Sequence, residues 1–340
     1  MKTVLLLFGG ESSEHEVSLA SAKNVSDVID ATKFDVVYGY IDKKGEWWLV
    51  DGVSETKPDA ARRLQPVLGG ASFTAEGIEK AIVPDVILPV LHGRNGEDGS
   101  VQALAQLMHI PIVGCDMTAG AAAMNKYLTK AVAIANNIKV VPFGLHFVSD
   151  PALDFNAVKE NLGDTLFVKP VNAGSSVGVH KVTSQQELDA ALADAHTHDS
   201  VVLIERAING RELEVAVLGN YPKIDVSVVG EVMPEGEFYS YESKYDESST
   251  SEVKIPAQID AQQTDTIRLQ AAQIFHLLGG SGLSRVDFFL DKDDGQIYLN
   301  EINTFPGFTN ISMYPKLWAH SDVTYARLIE KLIELALEQQ

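Results

Sequence analysis

The chain has 340 residues, longer than one domain usually runs, so two or three domains sharing clefts are expected. Apolar residues make up 45% of it, an ordinary globular share, and no window reaches the roughly 18 apolar residues of a membrane span. With 27 Lys and Arg against 47 Asp and Glu the net charge is −20, which repels nucleic acid and obliges any anionic ligand to find a local basic pocket.

The opening MKTVLLLFGGESSEHE has an apolar run too short for a signal peptide, and it passes into a glycine pair and acidic residues, so it reads as a strand. The single cysteine, Cys115, has no disulfide partner and no metal-ligand spacing around it, which fits a reducing, cytoplasmic setting. Short buried strands are expected at 3–8, 35–41, 85–91 and 111–113, with helical patterns at about 14–30 and 97–109. That alternation predicts an α/β domain with a parallel sheet over residues 1–117. Residues 42–80, with Trp47, Trp48 and scattered Pro and Gly, read as an inserted hairpin and loop.

Residues 118–207 read as a small α+β unit. One helix is expected over 118–136, a strand at 144–148, a helix near 154–162, two strands flanking the loop of VKPVNAGSSVGVHKV, a helix at 184–196 and a strand at 201–206. Residues 208–340 begin with two β runs and a polar segment, 234–251, that reads as a mobile flap. An amphipathic helix carrying Ile267, Ala271, Ile274, Phe275 and Leu278 follows, then strands at 283–290 and 296–301, a loop, and a final helix at 322–338.

Three features suggest chemistry. Arg285 and Asp287, like Glu301 and Asn303, stand two apart and so project from one face of their strands. Asp287, Glu301 and Asn303 are hard oxygen donors of the kind Mg²⁺ takes, the alternative being a solvated polar hairpin face. Lys169 ends an apolar strand and precedes a stretch, Asn172 to Gly178, made only of Asn, Ala, Gly, Ser and Val, which suits a phosphate cradle. Neither GxxxxGK[ST] nor GxGxxG occurs. Lys126 and Lys244, taken singly, are ordinary surface charges. Glu205 and Glu212 flank the backbone of Ala207 and Ile208, a weak pattern that could read an adenine edge and ribose hydroxyls.

Taken in order, FGGESSEHEVSLAS, LHGRNGEDGSVQ, FVKPVNAGSSVGV, IERAINGRELEVAVLG, YSYESKY, RVDFFL and EINTFPGFTNISMYP resemble the D-alanine–D-alanine ligases of the ATP-grasp superfamily, over nearly the whole chain. The resemblance implies a three-domain architecture, α/β and α+β: an N-terminal parallel-sheet substrate domain (1–117), a central subdomain (118–207) and a C-terminal subdomain with metal site and flap (208–340). Nucleotide would lie between the last two. It implies that ATP phosphorylates the carboxylate of one D-alanine and that a second D-alanine's amine attacks the acyl phosphate, for peptidoglycan synthesis. ATP and two Mg²⁺ ions, with Mn²⁺ a possible substitute, are the implied cofactors. The expected partners are D-alanine and ATP, with no nucleic acid and no membrane, and the expected assembly is a cytoplasmic homodimer.

Carried over residue by residue, the resemblance gives Lys126, Lys169 and the Ser175–Ser176 loop to the ATP phosphates, with Lys244 reaching the γ-phosphate from the flap. Glu205, Ala207, Ile208 and Glu212 go to adenine and ribose, and Asp287, Glu301 and Asn303 to the metals. Glu16 goes to the first D-alanine's ammonium, linked through Ser175 to Tyr245. Arg285 and the N–H of Gly307 form the oxyanion hole, and Ser312 with the backbone near Met313 receives the second carboxylate. His92 is expected near the acyl phosphate, Phe305 is expected to narrow the second-substrate pocket, and Tyr245 points to D-alanine over D-lactate.

Overall fold

A computed structural model describes residues 1–233 and 252–338. The expected flap, with Lys244 and Tyr245, lies outside the described residues. In the first sheet β1 (Lys2–Gly9) leads through α1 (His15–Val28) to β2 (Phe34–Ile41), which pairs parallel with it. β3 (Trp47–Val50), β4 (Arg62–Val67), β5 (Ser72–Ala75) and β6 (Ile78–Ile82) continue the sheet antiparallel, and β7 (Val86–Val90) returns to the far side of β1. Val4 to Phe8 have no exposed surface, as expected for a central parallel strand covered on both faces. Leu5 and Leu7 face a core shared with α2 (Ser100–Leu107), while Val4, Leu6 and Phe8 face α1 and the C-terminal helices.

Residues 42–80 are thus not one hairpin and a loop but four strands that widen this sheet. Trp47 stacks on Phe73 with ring centroids 6.2 Å apart, and Trp48 donates from its indole to Asp42. The expected strand at 111–113 is reduced to a single bridge between Ile87 and Ile112.

The expected helix 118–136 is broken in two, α3 (Met117–Met124) and α4 (Lys126–Ala135). Asn125 leaves the helical region (φ −81°, ψ 98°) and its side chain accepts from Leu128 N–H at 2.9 Å, so it ends one helix and caps the next. A four-stranded antiparallel sheet follows, built from β8 (Phe143–Phe147), β9 (Leu166–Pro170), β10 (His180–Val182) and β11 (Val201–Arg206) in the order β10-β9-β11-β8. Helices α5 (Phe155–Leu162) and α6 (Gln185–His198) cover one face around Leu166, Val168, Val202 and Ile204.

The third sheet has the order β14-β13-β12-β15-β16, from β12 (Gly210–Asn220), β13 (Lys223–Met233), β14 (Glu252–Lys254), β15 (Leu283–Asp291) and β16 (Ile297–Asn303). Its apolar alternates Leu213, Val215, Val286, Phe288 and Ile302 pack against Ile267, Ala271 and Phe275 of α7 (Ala261–Leu277). The other alternates, Glu212, Glu214, Arg285, Asp287, Glu301 and Asn303, share the opposite face. The expected closing loop contains a helix of its own, α8 (Met313–Ala319), before α9 (Tyr325–Leu337). Tyr314, Leu317, Leu328 and Leu332 from these two helices join the core of the first sheet, fastening the C-terminal part to the N-terminal one.

β12 and β13 are clasped by Arg211, which donates from Nε and Nη2 to the two oxygens of Glu231 at 2.7 Å each. These bonds hold the Glu231 carboxyl below its ordinary range against the opposing effect of burial. A depressed carboxyl stabilises the fold fully above its unfolded value, about 4.3, and ceases to do so as pH falls through the lower folded value. Glu231→Gln is expected to cost about 1–2 kcal/mol at neutral pH. In urea melts its deficit should shrink below about pH 4.

Candidate active site

Two adjoining cavities open where the three sheets meet. One lies between the second and third sheets and is lined by Phe167, Lys169, Val179, Glu205, Ile208, Glu212 and Phe289 among others. The other lies toward the N-terminal sheet, between Glu14, Glu97, Glu214, Arg285, Asn303, Gly307 and Ser312. Lys126, Gly174, Ser175 and Glu301 belong to the walls of both.

The loop after β9 combines small residues with left-handed backbone. Ser175 and Ser176 hold left-handed φ of 48° and 59°. Gly178 is also left-handed (φ 66°), and a Cβ there would lie 2.8 Å from the His198 ring and 2.9 Å from Pro170. The loop's base is pinned by Asn172, whose backbone and side-chain N–H groups both donate to Asp199 Oδ2 at 2.8 Å. Asn125 donates to Asn172 Oδ1 at 2.8 Å, and the Lys126 ammonium donates to the Ala173 carbonyl. Breaking the helix at Asn125 is what sets Lys126 at the first position of α4, its Nζ 3.9 Å from Glu301 Oε2.

Lys169 and Glu205 stand on the neighbouring strands β9 and β11, with Lys169 Nζ 2.6 Å from Glu205 Oε2. The other oxygen of Glu205 is 2.6 Å from Lys130 Nζ, an ion pair whose angles fall outside those of a hydrogen bond. Burial alone would raise the Glu205 carboxyl, but the two ammonium groups outweigh it and hold it below the ordinary range. Both oxygens of Glu205 therefore face lysines, and Glu212 lines the same cavity. Ile208 lines the same cavity, while the Ala207 N–H is engaged by the Thr165 carbonyl at 3.0 Å.

On the charged face of the third sheet, Asp287 stands opposite both Glu301 and Glu214, and Arg285 opposite Asn303. Arg285 donates from Nε and Nη2 to the two Asp287 oxygens at 2.7 Å, and its Nε lies 3.0 Å from Glu214 Oε2. Asn303 donates to Asp287 Oδ2 at 3.0 Å, which turns its carbonyl oxygen away from that bond. Asp287, Glu301 and Asn303 thus bring hard oxygens to neighbouring register positions, although among the described residues no three His, Cys, Asp or Glu cluster closely enough to hold a metal, and an ionised carboxylate retains lone pairs beyond those used by Arg285. That donor chemistry fits Mg²⁺.

The N-terminal side corrects one assignment. Glu16 is exposed and pairs with Lys43 at 2.7 Å, and it does not line either of these cavities. Glu14 lines one instead, and a Cβ on Gly174 of the loop would lie 3.9 Å from its Oε2. Because α1 starts at His15, two residues at about 100° each turn Glu16 to the other side. His92 lies behind the wall, 3% exposed, with its ring nitrogens 3.2 Å from the Phe305 carbonyl and 3.1 Å from Ser21 Oγ. Burial would lower the His92 ring, but the Glu97 and Glu14 charges outweigh it and raise it. Burial and the Glu14 charge likewise raise Glu97, whose Oε1 is 3.8 Å from His92 Nδ1. Phe305 does not narrow this cavity: it is 2% exposed and packs between His92 and Phe308.

Gly307 and Ser312 line the acidic cavity, and the Ser312 hydroxyl bonds with that of Thr309 at 2.7 Å. Sequence reasoning passed over Glu14, Glu97, Lys130 and Glu214. Lys130 carried a signal, since it stands four residues after Lys126 and shares its helix face.

A cleft between two antiparallel sheets, with lysines and a small-residue loop on one side and a carboxylate-bearing hairpin on the other, defines an ATP-grasp ligase. The models for the D-Ala D-Ala ligase N-terminus and C-terminus match residues 3–115 and 135–334. The D-alanine–D-alanine ligase of Oceanobacillus iheyensis is 44% identical over 99% of this chain and 96% of its own, and D-alanine–D-alanine ligase A of Salmonella typhimurium is 43% identical over 98% and 95%. Among solved structures, the Coxiella burnetii D-alanine-D-alanine ligase superposes with a TM-score of 0.89 at 33% identity, covering 99% of this chain and 94% of that one. The VanG D-Ala:D-Ser ligase of Enterococcus faecalis superposes with 0.88 at 36%, covering 98% and 99%. The chain belongs to the D-alanine–D-alanine ligase family.

Asn125→Ala removes the cap of α4 and the tie to Asn172 together. It is expected to lower stability by about 1–2 kcal/mol in thermal or urea unfolding.

Proposed function

We propose that this cleft joins two D-alanine molecules into D-alanyl-D-alanine through an acyl phosphate, at the expense of ATP, for bacterial peptidoglycan synthesis. The observation that carries the reading is the shared wall. The cavity between the second and third sheets and an acidic cavity meet at Lys126, Gly174, Ser175 and Glu301, where a γ-phosphoryl group and an amino-acid carboxylate would have to meet. We divide the chain accordingly into a substrate domain (1–117), a central subdomain (118–207) and a C-terminal subdomain (208–340).

A carboxylate is too poor an electrophile to be attacked by an amine, so it must first be phosphorylated. In our reading Lys126, Lys169 and the backbone of the Ser175–Ser176 loop hold the phosphates by charge-assisted bonds. Ile208 and the neighbouring main chain take adenine, and Glu212 takes the ribose hydroxyls. Asp287, Glu301 and Asn303 would hold two Mg²⁺ ions, with Mn²⁺ able to substitute. Bound there, the metal neutralises charge on the transferred phosphoryl group.

Glu14 receives the first D-alanine's ammonium in the acidic cavity, where carboxylates outnumber cations. Arg285 and the Gly307 N–H stabilise the oxyanion of the tetrahedral intermediate, and one such donor contributes about 2.7–4 kcal/mol. Ser312, beside the start of α8, takes the second carboxylate. Glu97, which lines this cavity with His92 behind it, is our candidate acceptor for the proton that the attacking amine releases. We expect a homodimer in the cytoplasm.

An acceptor competition tests the substrate assignment: D-alanine is expected to outcompete both D-serine and D-lactate near neutral pH, and dominance of either alternative in the products would overturn it. Lys169→Ala should lower turnover about tenfold to a hundredfold, the equivalent of one charge-assisted bond. Glu14→Gln should raise the first D-alanine KM at least about tenfold, by the same bond type, while Glu16→Gln leaves it near the parent value.

A further inference from the structure

Among the described residues, the wall of the nucleotide cavity carries three cations, Lys126, Lys169 and Arg206, and three carboxylates, Glu205, Glu212 and Glu301. The wall alone is therefore electrically balanced, in a chain of net charge −20. A balanced wall attracts a nucleotide polyphosphate only where its cations stand nearer to the phosphates than its carboxylates do and are not neutralised by them. Arg206 is further occupied, 3.3 Å from Asp291 Oδ2 and with its guanidinium 5.3 Å over the Tyr298 ring.

One more cation stands directly behind the wall. Lys130 has no exposed surface and does not line the cavity, so its ammonium cannot touch a ligand there. It faces Glu205 Oε1 at 2.6 Å on one side and the Phe143 ring at 5.6 Å on another. Glu205 in turn reaches out to Lys169 Nζ at 2.6 Å. Without Lys130, Lys169 and Glu205 would make a neutral buried pair, and the carboxylate would hold the lysine's charge to itself. Burial lowers the Lys130 ammonium from its ordinary value and the Glu205 charge works against that; with Lys130 held ionised by this pairing, the chain Lys130–Glu205–Lys169 has a net charge of one positive unit, presented at its only cavity-facing cation, Lys169.

We infer that Lys130 is a positioning residue for nucleotide binding: from behind the wall it balances the charge of Glu205 at its inner oxygen and so leaves the charge of Lys169 available to phosphate. The inference rests on the reading of this cavity as the nucleotide site. The inner position also explains why a lysine, costly to bury, stands in the helix core beside Thr129 and Ala133.

The test compares ADP with adenosine, measured by calorimetry or by competition with ATP. Lys130→Met keeps the hydrocarbon stem and removes the charge, and Lys130→Gln keeps a donor for Glu205 while removing the charge. Both are expected to weaken ADP roughly tenfold or more, from the loss of one unit charge near the phosphates, with adenosine binding unchanged within about twofold. Lys130→Arg should restore most of the ADP affinity. A merely structural role would weaken both ligands together, so equal losses for ADP and adenosine overturn the inference, as does parent-like ADP affinity in either neutral variant. Failure of the parent protein itself to bind ADP would overturn the cavity assignment and this inference with it.

Discussion

A strongly acidic chain that takes up a polyanion must carry its cations inside its walls, because its outer surface works against capture. The buried run Lys130–Glu205–Lys169 answers that constraint with one carboxylate between two ammonium groups. Charges out of water are costly unless paired, and here each is paired while the set keeps a net positive unit. Lys126, placed at the start of α4 and tied to the loop carbonyl of Ala173, brings a second cation to the same place.

The rest of the fold keeps these groups in position. Each wall of the cleft is one face of a sheet whose other face is apolar and covered by helices: Val168 and Ile204 beneath Lys169 and Glu205, Val286 and Ile302 beneath Arg285, Asp287 and Glu301. A one-residue slip in β15 or β16 would bury the charges and expose the core, so the apolar face sets the register of the charged one. The Arg285–Asp287–Asn303 network then orients the carboxylate edge, and the Ser21 hydroxyl, bonded to both His92 and the Phe308 N–H, joins the N-terminal helix to the loop before α8.

What could be read from the residues alone follows from short-range rules. Period-two alternation announced β12, β15 and β16 and the common face of Arg285, Asp287, Glu301 and Asn303, and the small residues from Asn172 to Gly178 announced a close-approach loop. The order of seven short motifs was enough to name the family. Four of the strands that widen the first sheet were not legible, since Trp47 to Ile82 mixes prolines and glycines into short runs whose pairing depends on a sheet edge already being there. Nor was the break at Asn125, where helical periodicity continues on both sides and only the cap geometry divides it.

The amino-acid order by itself determined the secondary elements, their apolar faces and the chemical types available to the cleft. Tertiary structure alone decided which acidic residue of the first loop enters it, because side-chain direction turns on where α1 begins, and a start at His15 sends Glu14 inward and Glu16 out to Lys43. It also decided the partner of Lys130. Glu205 lies 75 positions further along, and only the packing of α4 against the second sheet brings two such distant charges within ion-pair distance.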